Sequence, residues 1–231
     1  MQAVILAGGK GRRLRPYTTV LPKPMMPIGE KPILGIIIEK LARSGITDVV
    51  ITVGYLAGII QAYFGDGKKF GVDITYFVEK EPLGTAGCLS VIENLQDEFV
   101  VMNGDIFTSL DFNDLVAYHR RMGNPVTICS YKKEIQLTLG VLQLAGDTVQ
   151  DYIEKPRYTF DVSTGMYAMN RKVVAHIPKN QHFDFPTLIK RLIAAKEPIS
   201  VYAFEGEWYD IGREEDYRAI LEKFDDTSED Y

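Results

Sequence analysis

The chain predicts an α/β fold: one domain built on a mixed, mostly parallel sheet flanked by helices. Three observations predict it. Short β-branched apolar runs alternate with segments of helical length through the first half, the pattern of right-handed βαβ units. The first apolar run stops abruptly at Gly8-Gly9-Lys10-Gly11, which reads as a buried strand feeding a tight loop. A length of 231 residues suffices for one large core.

Residues 3–7 form the first strand. Residues 31–43 have helical length and apolar spacing, with Pro32 near the start. Residues 47–53 are β-branched and read as a strand. Residues 55–64 are a second helix, ended by Gly65-Asp66-Gly67. Asp73–Val78 is a third strand, residues 85–95 a third helix, and residues 98–102 a fourth strand that ends at Asn103-Gly104-Asp105. The pattern changes after Met122. Residues 125–131, 140–144, 148–153 and 164–169 read as successive strands, extending the sheet with mixed or antiparallel pairing. Residues 184–195 are an amphipathic helix with Asp184 at the N-cap. A strand at 199–203 and a helix at 214–224 complete the chain's regular elements. The domain thus has two halves, about 1–122 and 123–225, and an acidic, frayed tail at 226–231.

The formal net charge of −5 argues against a general nucleic-acid binder, which is usually basic. Lys10, Arg12, Arg13 and Arg15 therefore make a local cationic loop in an acidic protein, suited to a small anion. Glycines let a ligand lie close to main-chain N–H groups, so the simplest candidate is a nucleoside triphosphate. Cys88 and Cys129 form no metal pattern and read as free, buried thiols of a reducing compartment. Met1 leads directly into a strand, and no apolar run approaches twenty residues. The expectation is a cytoplasmic protein with no membrane partner.

Neither of the best-known glycine loops fits. Lys10 is followed by Gly11 and Lys68 by Lys69, so the P-loop pattern fails at both places. The dinucleotide fingerprint needs a third glycine where Leu14 stands. A longer pattern does match: Gly8-Gly9-Lys10-Gly11-Arg12-Arg13-Leu14-Arg15-Pro16-Tyr17-Thr18, then Lys23-Pro24-Met25-Met26-Pro27. It resembles the sugar-1-phosphate nucleotidylyltransferase family, although such loops usually carry Thr or Ser where Arg12 stands. The resemblance implies a Rossmann-like fold of the nucleotide-diphospho-sugar transferase type. It also implies a reaction in which NTP and sugar 1-phosphate give NDP-sugar and pyrophosphate.

In open parallel sheets, ligands bind beyond the carboxyl ends of the strands. That places Asp105 beside the Gly8 loop, where it would hold Mg²⁺ or merely cap a turn. Asp210, in Trp208-Tyr209-Asp210-Ile211-Gly212, matches the family's second metal aspartate, and could equally cap the final helix. The resemblance assigns Arg13 to the triphosphate and Lys23 to the α-phosphate and incoming sugar phosphate. With Asp105 these are the candidate catalytic residues. It assigns the nucleotide to Leu6, Ala7, Gly8, Gly9, Gly11, Arg12, Glu79, Pro82, Gly84, Thr85, Asn103 and Gly104. Glu154-Lys155 matches the sugar-phosphate pair, Gly140 a glycine close to the sugar, and Thr164-Gly165 a further sugar segment. Ser163 stands where many relatives have Asn.

The base is the finer expectation. Glu79 lies five residues before Gly84, where thymidylyl and some uridylyl members have glutamine. An ionised carboxylate only accepts, and guanine offers two adjacent donors, N1–H and the N2 amino group. Glu-Pro-Leu-Gly-Thr-Ala-Gly also looks like the mannose-1-phosphate guanylyltransferases. The expectation is GTP with a mannose- or manno-heptose-like sugar 1-phosphate. Other bases, and a Glu79 turned to solvent or paired with Lys80, stay open. So does a catalytically silent regulator that binds nucleotide-sugar. His119, His176 and His182 lie in no motif and read as structural or surface residues. Acetyltransfer by a second, repeat-built domain is not expected, and a homodimer is the base-rate guess.

Overall fold

A computed structural model describes residues 1–212 and 214–227. β1 (Gln2–Ala7) is buried along its length, as a central parallel strand requires. Short 3-10 turns come next, at Arg12–Leu14, Tyr17–Thr19 and Lys23–Met25. β2 (Pro27–Ile28) and β3 (Lys31–Pro32) pair as a small antiparallel ladder. They lead into α1 (Ile33–Arg43), which buries Ile33, Leu34, Ile37, Ile38 and Leu41. Next come β4 (Asp48–Val53), α2 (Ala57–Phe64) and β5 (Asp73–Val78). The helix expected over residues 85–95 is a single turn, α3 (Gly84–Gly87), continued by a 3-10 turn at Cys88–Ser90. The turn tightens there, the Val91 N–H donating to the Cys88 carbonyl three residues back at 3.1 Å, while the first-turn N–H groups of Ala86 and Gly87, which have no acceptor within a helix, donate to the Phe183 carbonyl.

β6 (Glu98–Asn103) and β7 (Ile106–Thr108) precede α4 (Phe112–Met122), a helix not expected from the residue pattern. Its signals are present. Asp111 accepts the Asn113 N–H at 2.8 Å, and Gly123 ends the helix in the left-handed region with φ 64°, both ordinary helix-end devices. The remaining elements are β8 (Val126–Gln136), β9 (Val141–Ala145), β10 (Thr148–Ile153), β11 (Arg157–Asn170), α5 (Phe185–Ala194), β12 (Ile199–Phe204), β13 (Trp208–Asp210) and α6 (Glu214–Thr227). Of the expected acidic tail, residues 226–227 belong to α6, and the rest lies outside the described residues.

Seven strands form one sheet in the order β12-β8-β11-β6-β1-β4-β5. β6, β1, β4 and β5 are parallel. β11 runs antiparallel to β6 and β8, and β12 runs parallel to β8. The sheet is therefore mixed and mostly parallel, as expected. β9 and β10 do not extend it; among the described residues they pair only with each other. Residues alternate between two cores in the period-2 manner of strands. Ala3, Ile5 and Ala7 pack with Leu34, Ile51, Phe64 and Phe112 on one side. Val4 packs with Val50, Leu89, Val101 and Leu188 on the other. Among the described residues, no helix is long and apolar enough to cross a membrane.

The register of the parallel strands aligns their carboxyl ends. Ala7 stands opposite Val53 and Leu6 opposite Asn103, so three strand ends reach one edge together. The Gly104 N–H donates to the Leu6 carbonyl at 2.9 Å and locks that edge.

Candidate active site

A cavity of about 410 Å³ lies beyond these strand ends. The Gly8–Arg13 loop forms one wall. Gly11 adopts φ 57°, and a Cβ there would lie 2.9 Å from Thr18 Cγ2 and 3.1 Å from Lys23 Cβ. Only glycine fits that conformation and that space. The Thr18 hydroxyl donates to the Gly11 carbonyl at 2.7 Å, and Leu14 is buried below. Arg12 and Arg13 stay exposed while lining the cavity. Leu6, Ala7, Gly9 and Asn103 line the same wall, and Gly104 backs it through its bond to Leu6.

At the floor, the buried Lys23 ammonium is ion-paired with Asp105 Oδ2 and lies 3.5 Å from Asp210 Oδ1. Two elements set this spacing. β7 and β13 pair antiparallel with Asp210 opposite Ile106, and the Ile211 N–H donates to the Asp105 carbonyl at 3.1 Å. Asp210 Oδ1 also accepts the Gly212 N–H at 2.8 Å. A Cβ on Gly212 would meet Lys23 Nζ at 2.5 Å, Asp210 Oδ1 at 2.8 Å and an Arg13 guanidinium nitrogen at 2.9 Å. Two cations and one carboxylate thus converge on one glycine, and Asp105 joins them through its ion pair with Lys23. The sequence separates Lys23 from Asp210 by most of the chain and gives no local sign of the pairing.

The donor set fits a hard divalent cation. Asp105 and Asp210 offer carboxylate oxygens, the donor type such a cation takes, and both now face the Lys23 ammonium, which the cation would displace. Among the described residues there is no group of three or more His, Cys, Asp or Glu side chains suited to a metal. Mg²⁺ is commonly held by one or two carboxylates plus substrate phosphates rather than by an all-protein cage, so two carboxylates beside a cationic glycine loop are of the type it takes.

Glu79 leaves β5 with its N–H donating to the Val53 carbonyl at 2.8 Å. Its carboxylate lines the cavity and packs against Gly8, where a Cβ would lie 3.4 Å from Oε2. The Leu83 N–H faces the same oxygen at 3.4 Å. Burial pushes the Glu79 pKa up, opposed by the Leu83 N–H and by nearby His182. Pro82, Gly84 and Thr85 continue this wall.

His182 and Asp184 also line the cavity, and neither was expected there. Their side chains reach a loop about a hundred residues away in sequence, so no local pattern marks them. Asp184, expected to cap its own helix, makes no side-chain cap bond there; Thr85 takes its oxygen instead. The other histidines lie outside the cavity. His119 is buried against Thr127, with 2.8 Å between Nδ1 and Oγ1. Cys88 and Cys129 are free and buried, their thiols pushed up to about 12 and about 11 by burial, and so unreactive.

The expected sugar residues divide. Gly165 has φ 76°, and a Cβ there would meet Asn103 Nδ2 at 2.6 Å, so it packs beside the cavity wall. Thr164 is buried: its hydroxyl donates to the Cys129 carbonyl at 2.8 Å, and its own carbonyl accepts the Trp208 indole N–H at 3.0 Å. Gly140, Glu154 and Lys155 do not line the cavity. Gly140 packs against the Tyr152 ring, leaving no room for a Cβ. The Tyr152 hydroxyl donates to Glu154 at 3.0 Å, and Lys155 Nζ lies 3.7 Å from Glu154. Lys155 adopts φ 44°, a left-handed conformation uncommon outside glycine.

A family model described as nucleotidyl transferase matches residues 2–227. A UTP–glucose-1-phosphate uridylyltransferase of Synechocystis is 34% identical, over 94% of this chain and 61% of that protein. A mannose-1-phosphate guanyltransferase of Yarrowia lipolytica is also 34% identical, over 94% of this chain and 62% of that protein. The chain therefore spans somewhat under two thirds of these relatives. The crystal structure of HddC from Yersinia pseudotuberculosis complexed with GMP-PN superposes with a TM-score of 0.73 and 27% identity, covering 96% of this chain and 99% of that one. On the family match, the chain belongs to the nucleotidyl transferase family, that of the sugar-1-phosphate nucleotidylyltransferases its opening motif resembles.

Proposed function

We propose that the protein transfers a nucleotidyl group from an NTP to a sugar 1-phosphate. The observation that carries this reading is the convergence of Lys23, Arg13 and Asp210 on Gly212, with Asp105 ion-paired to Lys23, in the cavity that the glycine loop walls. Main-chain N–H groups and the Arg12 and Arg13 guanidiniums take the triphosphate. A sugar phosphate oxygen attacks the α-phosphorus in line. The bond from the α-phosphorus to its bridging oxygen breaks, and pyrophosphate leaves with the electron pair. The reaction asks for positioning and charge neutralisation. No general base is needed, because a phosphate monoester with a second pKa near ~6 is largely ionised at neutral pH. Lys23 steadies the two phosphates as they approach, and Arg13 the charge growing on pyrophosphate. Asp105 and Asp210 would hold Mg²⁺, which supplies further neutralisation of phosphate charge when bound. Glu154 and Lys155 take the sugar 1-phosphate.

Within that reaction the base is guanine and the sugar mannose- or manno-heptose-like. Support comes from Glu79, an acceptor packed against Gly8 on the cavity wall, and from a similar structure complexed with GMP-PN. A uridylyltransferase is an equally similar relative, so the second reading is the same chemistry with UTP. Purified protein is tested against GTP, UTP, CTP, ATP and dTTP, each with mannose, glucose and manno-heptose 1-phosphates, by pyrophosphate release. Release with GTP above the other nucleotides is the expected result. Preference for another base rejects guanine, and no release with any pair rejects the transferase reading.

A further inference from the structure

The base end of the cavity is closed by a segment from the far part of the chain. The Phe183 N–H donates to the Leu83 carbonyl at 2.8 Å. The Phe183 carbonyl accepts the Ala86 and Gly87 N–H groups at 2.9 and 2.8 Å. Asp184 Oδ1 accepts the Thr85 N–H at 2.9 Å and the Thr85 hydroxyl at 3.2 Å. The Thr85 oxygen in turn accepts the Phe185 N–H at 2.9 Å.

The fit is at backbone distance. Gly84 has φ 75°, and a Cβ there would lie 2.7 Å from Asp184 Oδ1 and 2.8 Å from the Phe183 carbonyl oxygen. Glu79 belongs to the same loop, tied through the Leu83 N–H that faces its carboxylate. Holding residues 83–87 therefore holds Glu79 against Gly8. Two features separate this from an ordinary packing contact. Asp184 and Thr85 both line the cavity. The Asp184 side chain is also 43% exposed, so it fills no core; the buried Phe183 and Phe185 do that.

We infer that Asp184 is a positioning residue for base selection, fixing the 79–87 loop at the spacing in which the cavity tells one nucleobase from another. The inference rests on the nucleotide reading of the cavity, and it holds whichever base is preferred.

The test is titration calorimetry of GTP, UTP, CTP and ATP against wild type, Asp184→Ala, Asp184→Asn and Thr85→Val, with KM for sugar 1-phosphate measured beside it. Asp184→Ala is expected to weaken the best-bound nucleotide about tenfold and the others less, so that discrimination falls, while KM for sugar 1-phosphate holds. Asp184→Asn keeps an acceptor oxygen and restores most of the discrimination. Thr85→Val keeps the N–H and loses the hydroxyl, giving an intermediate loss that can be read even if Asp184→Ala fails to fold. Equal weakening of all four nucleotides, or unchanged discrimination, overturns the inference, as does a wild type that binds all four alike. A wild type that prefers UTP rejects guanine alone, and the Asp184 result is then read on UTP. A wild type that binds no nucleotide rejects the cavity reading and the inference together.

Discussion

Gly8 and Asp105 leave the ends of β1 and β6, strands buried through most of their length, whereas Glu154 and Lys155 follow β10, whose Val149 and Tyr152 are exposed. The first pair is placed by the register of a seven-stranded sheet with a core on each side. The second pair is placed by a two-stranded ribbon that shares no ladder with that sheet, and an isolated two-stranded ribbon is only marginally stable. The geometry of the cavity edge at Gly8 and Asp105 is therefore a property of the core. The geometry of the Glu154-Lys155 turn is local, held by Tyr152, by the close packing of Gly140 and by a left-handed Lys155. Substitutions in the two regions should separate accordingly.

The sharpest break is expected at the core-held site. Asp105→Asn and Asp210→Asn each lower kcat by about 10²-fold or more, the scale of losing a preorganised electrostatic group, and chelator abolishes wild-type activity until Mg²⁺ is returned. Steady-state rates at saturating Mg²⁺ check this; either variant at the wild-type rate removes the two-aspartate site. Lys23→Ala belongs to the same class, losing kcat about 10²-fold.

On the ribbon, Lys155→Ala should raise KM for sugar 1-phosphate about tenfold, the size of one charged hydrogen bond, and leave KM for NTP unchanged. A raised NTP KM instead would attach the ribbon to the other substrate and erase the contrast.

Glu79 sharpens the comparison through pH. Burial raises its pKa, so it takes up its proton above the ~4.3 of a free glutamate. Protonated, it donates as well as accepts, as glutamine does. Preference for GTP over UTP should then fall severalfold as pH drops from about 8 toward about 5, and Glu79→Gln should show low preference with no such slope. Rates on both nucleotides across that range decide it; a flat wild-type profile removes Glu79 from base reading.

The smallest effect is one of stability. Leu144 on β9 is 62% exposed, so Leu144→Ser should change unfolding free energy by no more than about 0.5 kcal/mol. A loss in denaturant titration near the ~2–5 kcal/mol of a core truncation would show the ribbon to be packed as the core is.

The residue pattern alone determined the parallel half of the sheet and the glycine loop. Both depend on short-range physics: short apolar runs at β1, β4 and β6, glycines that stop the strands, and cations within a few residues of Gly11. It also determined that Asp105 stands at the cavity edge, because the end of a parallel strand fixes where the next residue goes. Tertiary structure decided the rest. The helix expected over residues 85–95 is one turn, and its first-turn N–H groups, which lack acceptors within a helix, are taken by the distant Phe183 carbonyl. Asp184 left its own helix because Thr85 offered an N–H and a hydroxyl 99 residues away. Asp210 met Lys23 only through β13 pairing with β7. These partners lie far apart in sequence, and a local propensity records how a segment bends but not which distant donor will satisfy it.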